Sequence, residues 1–167
     1  MFTDTIFSVA LVAAAFLSSL VAGLLFVFAV VVMPGIKHLN DREFIRAFQV
    51  MDGVIQNNQP LFVLVWVGSI LAVVAAALLG ALQLSGLALN LMIAAALIYL
   101  LGVQLPTVVV NVPLNNRLQR MNVDAMDEPA QQAARRDFEP RWNRWNMIRT
   151  VIASLASAGY LVLLFIL

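Results

Sequence analysis

The chain has 167 residues, 62% of them hydrophobic and 11% charged, with a net charge of +1 and a mean hydropathy of +0.92. Soluble domains lie nearer roughly 45–50% apolar and about 25% charged, so this is the composition of a membrane protein. Without cysteine there are no disulfides, thiolate metal sites or thiol nucleophiles; the lone His38 cannot supply a multi-histidine metal or haem site, and so small a net charge makes no case for nucleic acid.

The first apolar run, about Ile6–Met33, exceeds the roughly 20 residues that a span needs. It is not a signal peptide by pattern, because MFTDT carries no Lys or Arg and the run far exceeds an h-region. Ala10, Ala14, Ser18 and Ala22 recur every fourth residue, a spacing that lets another helix approach closely. Pro34-Gly35 is expected to end the run. Asn40–Asn58 then reads as an amphipathic helix, about 41–58, with Asn40 as its cap and Glu43 three residues on. Phe44, Phe48, Met51 and Ile55 form its apolar stripe, with Arg42, Arg46, Gln49, Asp52 and Gln56 roughly opposite. Either this helix lies in the membrane interface, or its polar face covers a pocket with Asp52 and Gln56 facing inward.

Pro60 restarts the chain into a second span, about 61–82. The very short turn Leu84-Ser85-Gly86 leads into a third, about 87–110, which must be an antiparallel neighbour. Gln104, Thr107, Asn111 and Asn115 make a polar stripe towards its end, where Pro106 and Pro113 should bend the helix. Arg120–Arg136 is polar, with a break expected at Glu128-Pro129, and the fourth span is about 147–167. The expected fold is therefore an all-α, integral membrane four-helix bundle, a single transmembrane domain over 1–167, with an additional amphipathic cytoplasmic-side helix. VVMPGIKHL (31–39) also aligns weakly with VNVPLNNRL (110–118), a hint of duplication.

At the mouth of the last span, EPRWNRWNMIRT places Trp142, Trp145, Asn146 and Arg149 on one helix face. Arg149 lies roughly 27 Å from Leu167 at 1.5 Å per residue, near one boundary of the hydrocarbon core. Three readings are open: a ligand or reaction site shared with Asn111–Leu118, a structural polar network, or an aromatic belt with Arg149 snorkelling to headgroups. No Walker A run, GxGxxG or HExxH is present. Asp52 borders the apolar stripe of its helix, where partial desolvation would suit a base, although such an aspartate more often faces water.

NVPLNNRL followed by RWNRWNMIRT resembles the bacterial branch of the DUF1772, or anthrone-oxygenase-like, membrane proteins; VVMPG and VMDGVIQNNQPLF fit the same pattern. The resemblance implies a four-span bundle and, from the fungal branch, oxygenation of anthrones to anthraquinones without a recognised metal or flavin motif. It points to Asn111, Pro113, Asn115, Asn116, Arg117, Trp142, Trp145, Asn146 and Arg149. Arg144 and Met147 stand where many relatives would carry Thr and His. The expected activity is a cofactor-independent oxygenation of a small lipophilic aromatic at the cytoplasmic edge of the bundle. Asn146, Arg149 and Asp52 would be catalytic. Asn111, Asn115, Asn116, Arg117, Trp142, Trp145, Gln104 and Gln56 would bind substrate. No metal site and no cofactor is expected. The alternative is a lipid- or quinone-binding module or a small subunit of a membrane complex. Candidate partners are membrane lipid, a small aromatic ligand and further copies of the chain.

All ten Lys and Arg residues fall in the first and third connections or at their margins. The positive-inside rule then makes those connections cytoplasmic and both termini extracytoplasmic, in a bacterium across the inner membrane. Reporter fusions check this: a fusion at Leu167 should report outside and one at Asp127 inside, and a cytoplasmic signal at Leu167 would reverse the orientation.

Overall fold

The computed structural model describes residues 2–167, with side chains from Thr5 onward. These residues form helices and turns with no strand. Helix α1 runs from Phe2 to Val27 and continues through a π-helical turn, Phe28–Val32, into a last α-turn, Met33–Ile36. Helix α2 is Asp41–Gln56, α3 is Pro60–Gln83, α4 is Gly86–Gln119 and α5 is Glu128–Ile166. Four of them, α1, α3, α4 and α5, are long and apolar enough to cross a membrane. The 39 residues of α5 extend about 58 Å at 1.5 Å each, so nearly half of that helix lies beyond a core about 30 Å thick.

The prolines explain the path of α1 and α4. A proline has no N–H to donate, and its ring crowds the carbonyl four residues back. Pro34 was expected to end the first helix; instead the helix carries on to Ile36 because the turn before it widens. Met33 N–H reaches back five residues to the Phe28 carbonyl. The same arrangement precedes Pro106, where Leu105 bonds to Leu100, and Pro113, where Val112 bonds to Thr107. In each case the residue before the proline makes the five-residue bond, and the helix survives. The proline-bearing segments of the weak repeat thus share one backbone device.

The bundle is a square in which α1 packs against α3 and α5, and α4 packs against the same two from the other side. Small residues make the close seams. Ala14, Ser18 and Ala22 are buried, and Ser157 on α5 donates to the Ser18 hydroxyl across 3.3 Å. Leu84 and Ser85 alone separate α3 from α4, and Gly86 takes the positive φ of 57° that begins the next helix.

Helix α2 lies across the polar end of this square. The Asn40 side chain accepts from Glu43 N–H at 2.9 Å and caps it. Its buried residues are Phe44, Ile45, Phe48, Gln49 and Asp52, so a carboxylate and an amide join the apolar stripe against α4 and α5, while Met51 and Ile55 are only half-buried. Gln49 Nε2 donates to the carbonyls of Leu118 (2.8 Å) and Met121 (2.9 Å), and Gln119 Nε2 returns a bond to the Gln49 carbonyl. Arg135 on α5 clamps the start of α2. It donates to the carbonyls of Lys37 and Leu39 and to Asp41 and Glu139, with its guanidinium 4.3 Å from the centre of the Phe44 ring. Farther out, Arg42 bonds Asp124 at 2.6 Å and holds that carboxyl below the usual carboxylate range.

Gly102 sets the distance between α4 and α5. A Cβ there would lie 2.6 Å from Ile152 Cγ2, closer than real atoms approach. Gly102→Ala should therefore lower stability by about 1–3 kcal/mol through overpacking, read as thermal unfolding in detergent. Ile152→Ala in the same background should recover part of that loss, and Gly35→Ala, whose Cβ meets nothing within 4 Å, should cost nothing.

Candidate functional site

The five helices converge on a cavity of about 230 Å³ just inside α2. Helix α1 contributes Leu24, Leu25 and Phe28, α2 contributes Phe48, Asp52 and Ile55, and α3 contributes Phe62 and Trp66. Thr107, Asn111, Val112 and Asn115 come from α4; Trp142, Asn146 and Arg149 come from α5. Nine of these fifteen side chains are hydrocarbon or aromatic, so the walls are apolar with a few fixed polar groups, as small-molecule sites are built.

Arg149 is the central polar group. It is 3% exposed and makes no ion pair with any carboxylate among the described residues. Its Nη1 donates to Thr107 Oγ1 at 2.8 Å and its Nη2 to Asn146 Oδ1 at 3.1 Å. Asn146 in turn donates through Nδ2 to the Leu25 carbonyl at 3.0 Å. Thr107 completes its own bonding by donating to the Val103 carbonyl at 2.7 Å, which leaves its oxygen to accept from the guanidinium. Arg149 Nε and both polar atoms of the Asn111 amide are buried without a partner. Leu25, Thr107, Asn111, Asn146 and Arg149 all line the cavity.

The second polar group is Asp52, 4% exposed. Its Oδ1 accepts from Asn115 Nδ2 at 2.8 Å; its Oδ2 accepts from Gln56 Nε2 at 2.6 Å and Gln119 Nε2 at 3.1 Å. Asn115 Oδ1 accepts the indole N–H of Trp142 at 2.8 Å, so Trp142, Asn115 and Asp52 form one chain from α5 through α4 to α2. A carboxylate accepts about four hydrogen bonds, and three are filled here. The Trp142 ring also packs against Phe28, Phe48 and Phe138, with centroids 5.7, 5.4 and 6.2 Å away. Phe28, Phe48 and Trp142 of that cluster form one wall of the cavity.

Of the residues singled out in the sequence, Asp52, Asn111, Asn115, Trp142, Asn146 and Arg149 line this one cavity. Others do not. Trp145 is half-buried against the aromatic cluster outside it. Arg117 is exposed and pairs with Asp137. Asn116 and Gln56 bond to each other at 3.2 Å behind Asp52. Gln104 is buried deeper in the bundle beside Tyr99, its Nε2 unpartnered. The sequence reading missed Thr107 as the partner of Arg149, the Leu25 carbonyl, Gln119, and the Phe62–Trp66 pair, stacked at 5.4 Å. Only the last had a readable signal, two aromatics at helical i, i+4 spacing at the start of α3. Among the described residues no group of three or more His, Cys, Asp or Glu side chains is arranged to hold a metal ion.

A family profile described as anthrone oxygenase matches residues 51–159, which cover α3, α4, most of α5 and the end of α2. No curated protein and no solved structure matches the chain.

The Arg149–Thr107 bond can be tested without any ligand. Thr107→Val and Arg149→Lys should each lower the thermal stability of the purified protein. In the double variant their effects should fall short of additivity by at least about 0.5 kcal/mol, because both remove the same contact. Additive losses would mean that the guanidinium is held by something else.

Proposed function

The chain belongs to the anthrone oxygenase family, and from that premise we propose that this multi-pass membrane protein oxygenates a small, flat, lipophilic aromatic ketone in the cavity at its polar end, without a cofactor. The observation that carries the reading is Arg149: a buried guanidinium with no carboxylate partner among the described residues, its Nε unpartnered in the same largely apolar cavity as the unpartnered Asn111 amide. Such a group favours a ligand that develops negative charge on oxygen.

The chemistry is set by the placement of these groups. A methylene flanked by two aromatic rings and conjugated to a carbonyl is acidic, and Asp52 Oδ1, with one acceptor position left, takes its proton. The enolate oxygen that results is stabilised by Arg149 Nε–H and the Asn111 amide. The electron-rich carbon reduces O₂ and bonds to it, giving a hydroperoxide once a proton returns. Loss of water from that carbon leaves a second ketone. One oxygen atom enters the product, the other leaves as water, and all electrons come from the methylene. Asn146 is a positioning residue in this scheme: both ends of its amide are occupied by Arg149 and the Leu25 carbonyl. Trp142, Phe28 and Phe48 supply the walls against which a planar substrate packs. With the basic residues on the cytoplasmic side, the cavity stands at the cytoplasmic edge of the membrane.

Oxygen consumption with anthrone as substrate checks the proposal. The protein should take up oxygen, and chelator treatment should leave the rate unchanged. Arg149→Lys should lose about tenfold or more, since an ammonium cannot present the planar fork that reaches Thr107, Asn146 and the cavity together. Rescue of stripped protein by one particular metal would overturn the cofactor-free route. No uptake by folded protein, with phospholipid or a partner chain co-purifying, would favour a binding module or subunit.

A further inference from the structure

Three sides of the cavity are closed by packed helix seams. On the fourth, between α3 and α4, the packing stops. Helix α3 packs against Gly86–Tyr99 of α4, and the hydrogen bond between Ser69 and Tyr99, 2.7 Å, ties the two there. From Leu100 onward, where the first π-helical turn of α4 begins, α4 keeps its packing on α5 but no longer packs closely on α3. The cavity lies beyond that point, and the residues it shares with this seam are Phe62 and Trp66 on α3 and Val112 on α4. Phe62 and Trp66 are half-exposed and Val112 is 41% exposed, in helices whose outward neighbours Leu64, Val67, Val108 and Val109 are all apolar.

At the polar end the half-buried Ile55 and Asn115 also line the cavity, but the elements that carry them are tied together. Helix α2 is bonded down through Gln49, Asp52 and Gln119, and the layer of Phe48, Phe138 and Trp142 lies beneath it. An apolar mouth on the lipid side, with the polar side bonded down, selects ligands by where they dissolve.

We propose that the cavity takes its ligand sideways from the bilayer, through the gap between α3 and α4, with the stacked Phe62–Trp66 pair and Val112 as the gate. The ligand class is then a flat lipophile already partitioned into the membrane, which enters with its apolar edge facing the gate and its oxygen leading towards Arg149. This deepens the proposed function and rests on the same cavity. It does not need turnover.

Anaerobic stopped-flow binding of anthrone to the protein in lipid nanodiscs tests it, with quenching of Trp142 as the signal. Val112→Phe, which fills the mouth without adding an indole, should slow association and dissociation alike by about tenfold and leave their ratio nearly unchanged, unlike ordinary contact mutants, which act mainly on dissociation. Trp66→Ala, which opens the mouth, should speed association even where affinity falls. Phe138→Ala, which thins the layer on the polar side, should leave association unchanged. Faster entry in Phe138→Ala with no effect of Val112→Phe would overturn the lateral route and establish entry from water. Absence of saturable binding would overturn both this route and the oxygenase reading. Binding gated as described but with no oxygen uptake would retain the route and remove the oxygenase.

Discussion

A guanidinium buried without a carboxylate partner among the described residues fixes the geometry of this protein's polar end. Removing a charged group from water costs several kcal/mol, which only well-placed hydrogen-bond acceptors can offset. Arg149 finds them on Thr107 of α4 and on Asn146 one turn back on α5, and Asn146 is anchored to a backbone carbonyl of α1. Three of the four membrane helices are thereby tied at one depth. The remaining one, α3, has no part in this network, and the seam it shares with α4 is the one that opens. The tie and the gap are two sides of one arrangement.

That arrangement depends on how the chain carries proline through an apolar environment. Lipid offers no partner for a freed carbonyl, so a helix there must repair its own ladder. Each widened turn before Pro34, Pro106 and Pro113 does so with a bond spanning five residues. Two of these turns bracket the part of α4 that carries Thr107 and Asn111. Thr107, Asn111 and Asn115 reach the cavity, while Gln104, one turn earlier on the same stripe, is buried deeper in the bundle.

This is also the limit of what the sequence made legible. Spans, turns and capping were readable because they arise from local composition and from residue types with few conformational options: Asn40, Pro60, Gly86, the apolar runs. The face shared by Trp142, Asn146 and Arg149 was readable because α5 is regular there. What escaped were partners with no side-chain signature, such as the Leu25 carbonyl, and the depth at which Gln104 leaves the cavity. Helix spacing put Trp145 on the face of Trp142, Asn146 and Arg149, and resemblance alone put Arg117 in the site; packing sends the first to the outer aromatic cluster and the second to Asp137 on the surface. Asp52 was open in the sequence between water and interior. Three amides, from α2 itself and from the end of α4, decide for the interior.

Asp52 and Arg149 share one cavity and do not pair. Each is instead held by fixed dipoles, amides for the carboxylate and a hydroxyl and an amide oxygen for two of the guanidinium nitrogens, in a cavity with aromatic walls. Had the two charges met, the pair would have neutralised itself and left little for a ligand to gain. Held apart, they present an acceptor and a donor within the same apolar cavity. A ligand that gains from both must give up a proton at one position and gather charge on an oxygen at another, with a flat, conjugated body between. That is the demand an enolisable aromatic ketone meets, and a phospholipid headgroup, which brings charge but no acidic carbon, meets only half of it.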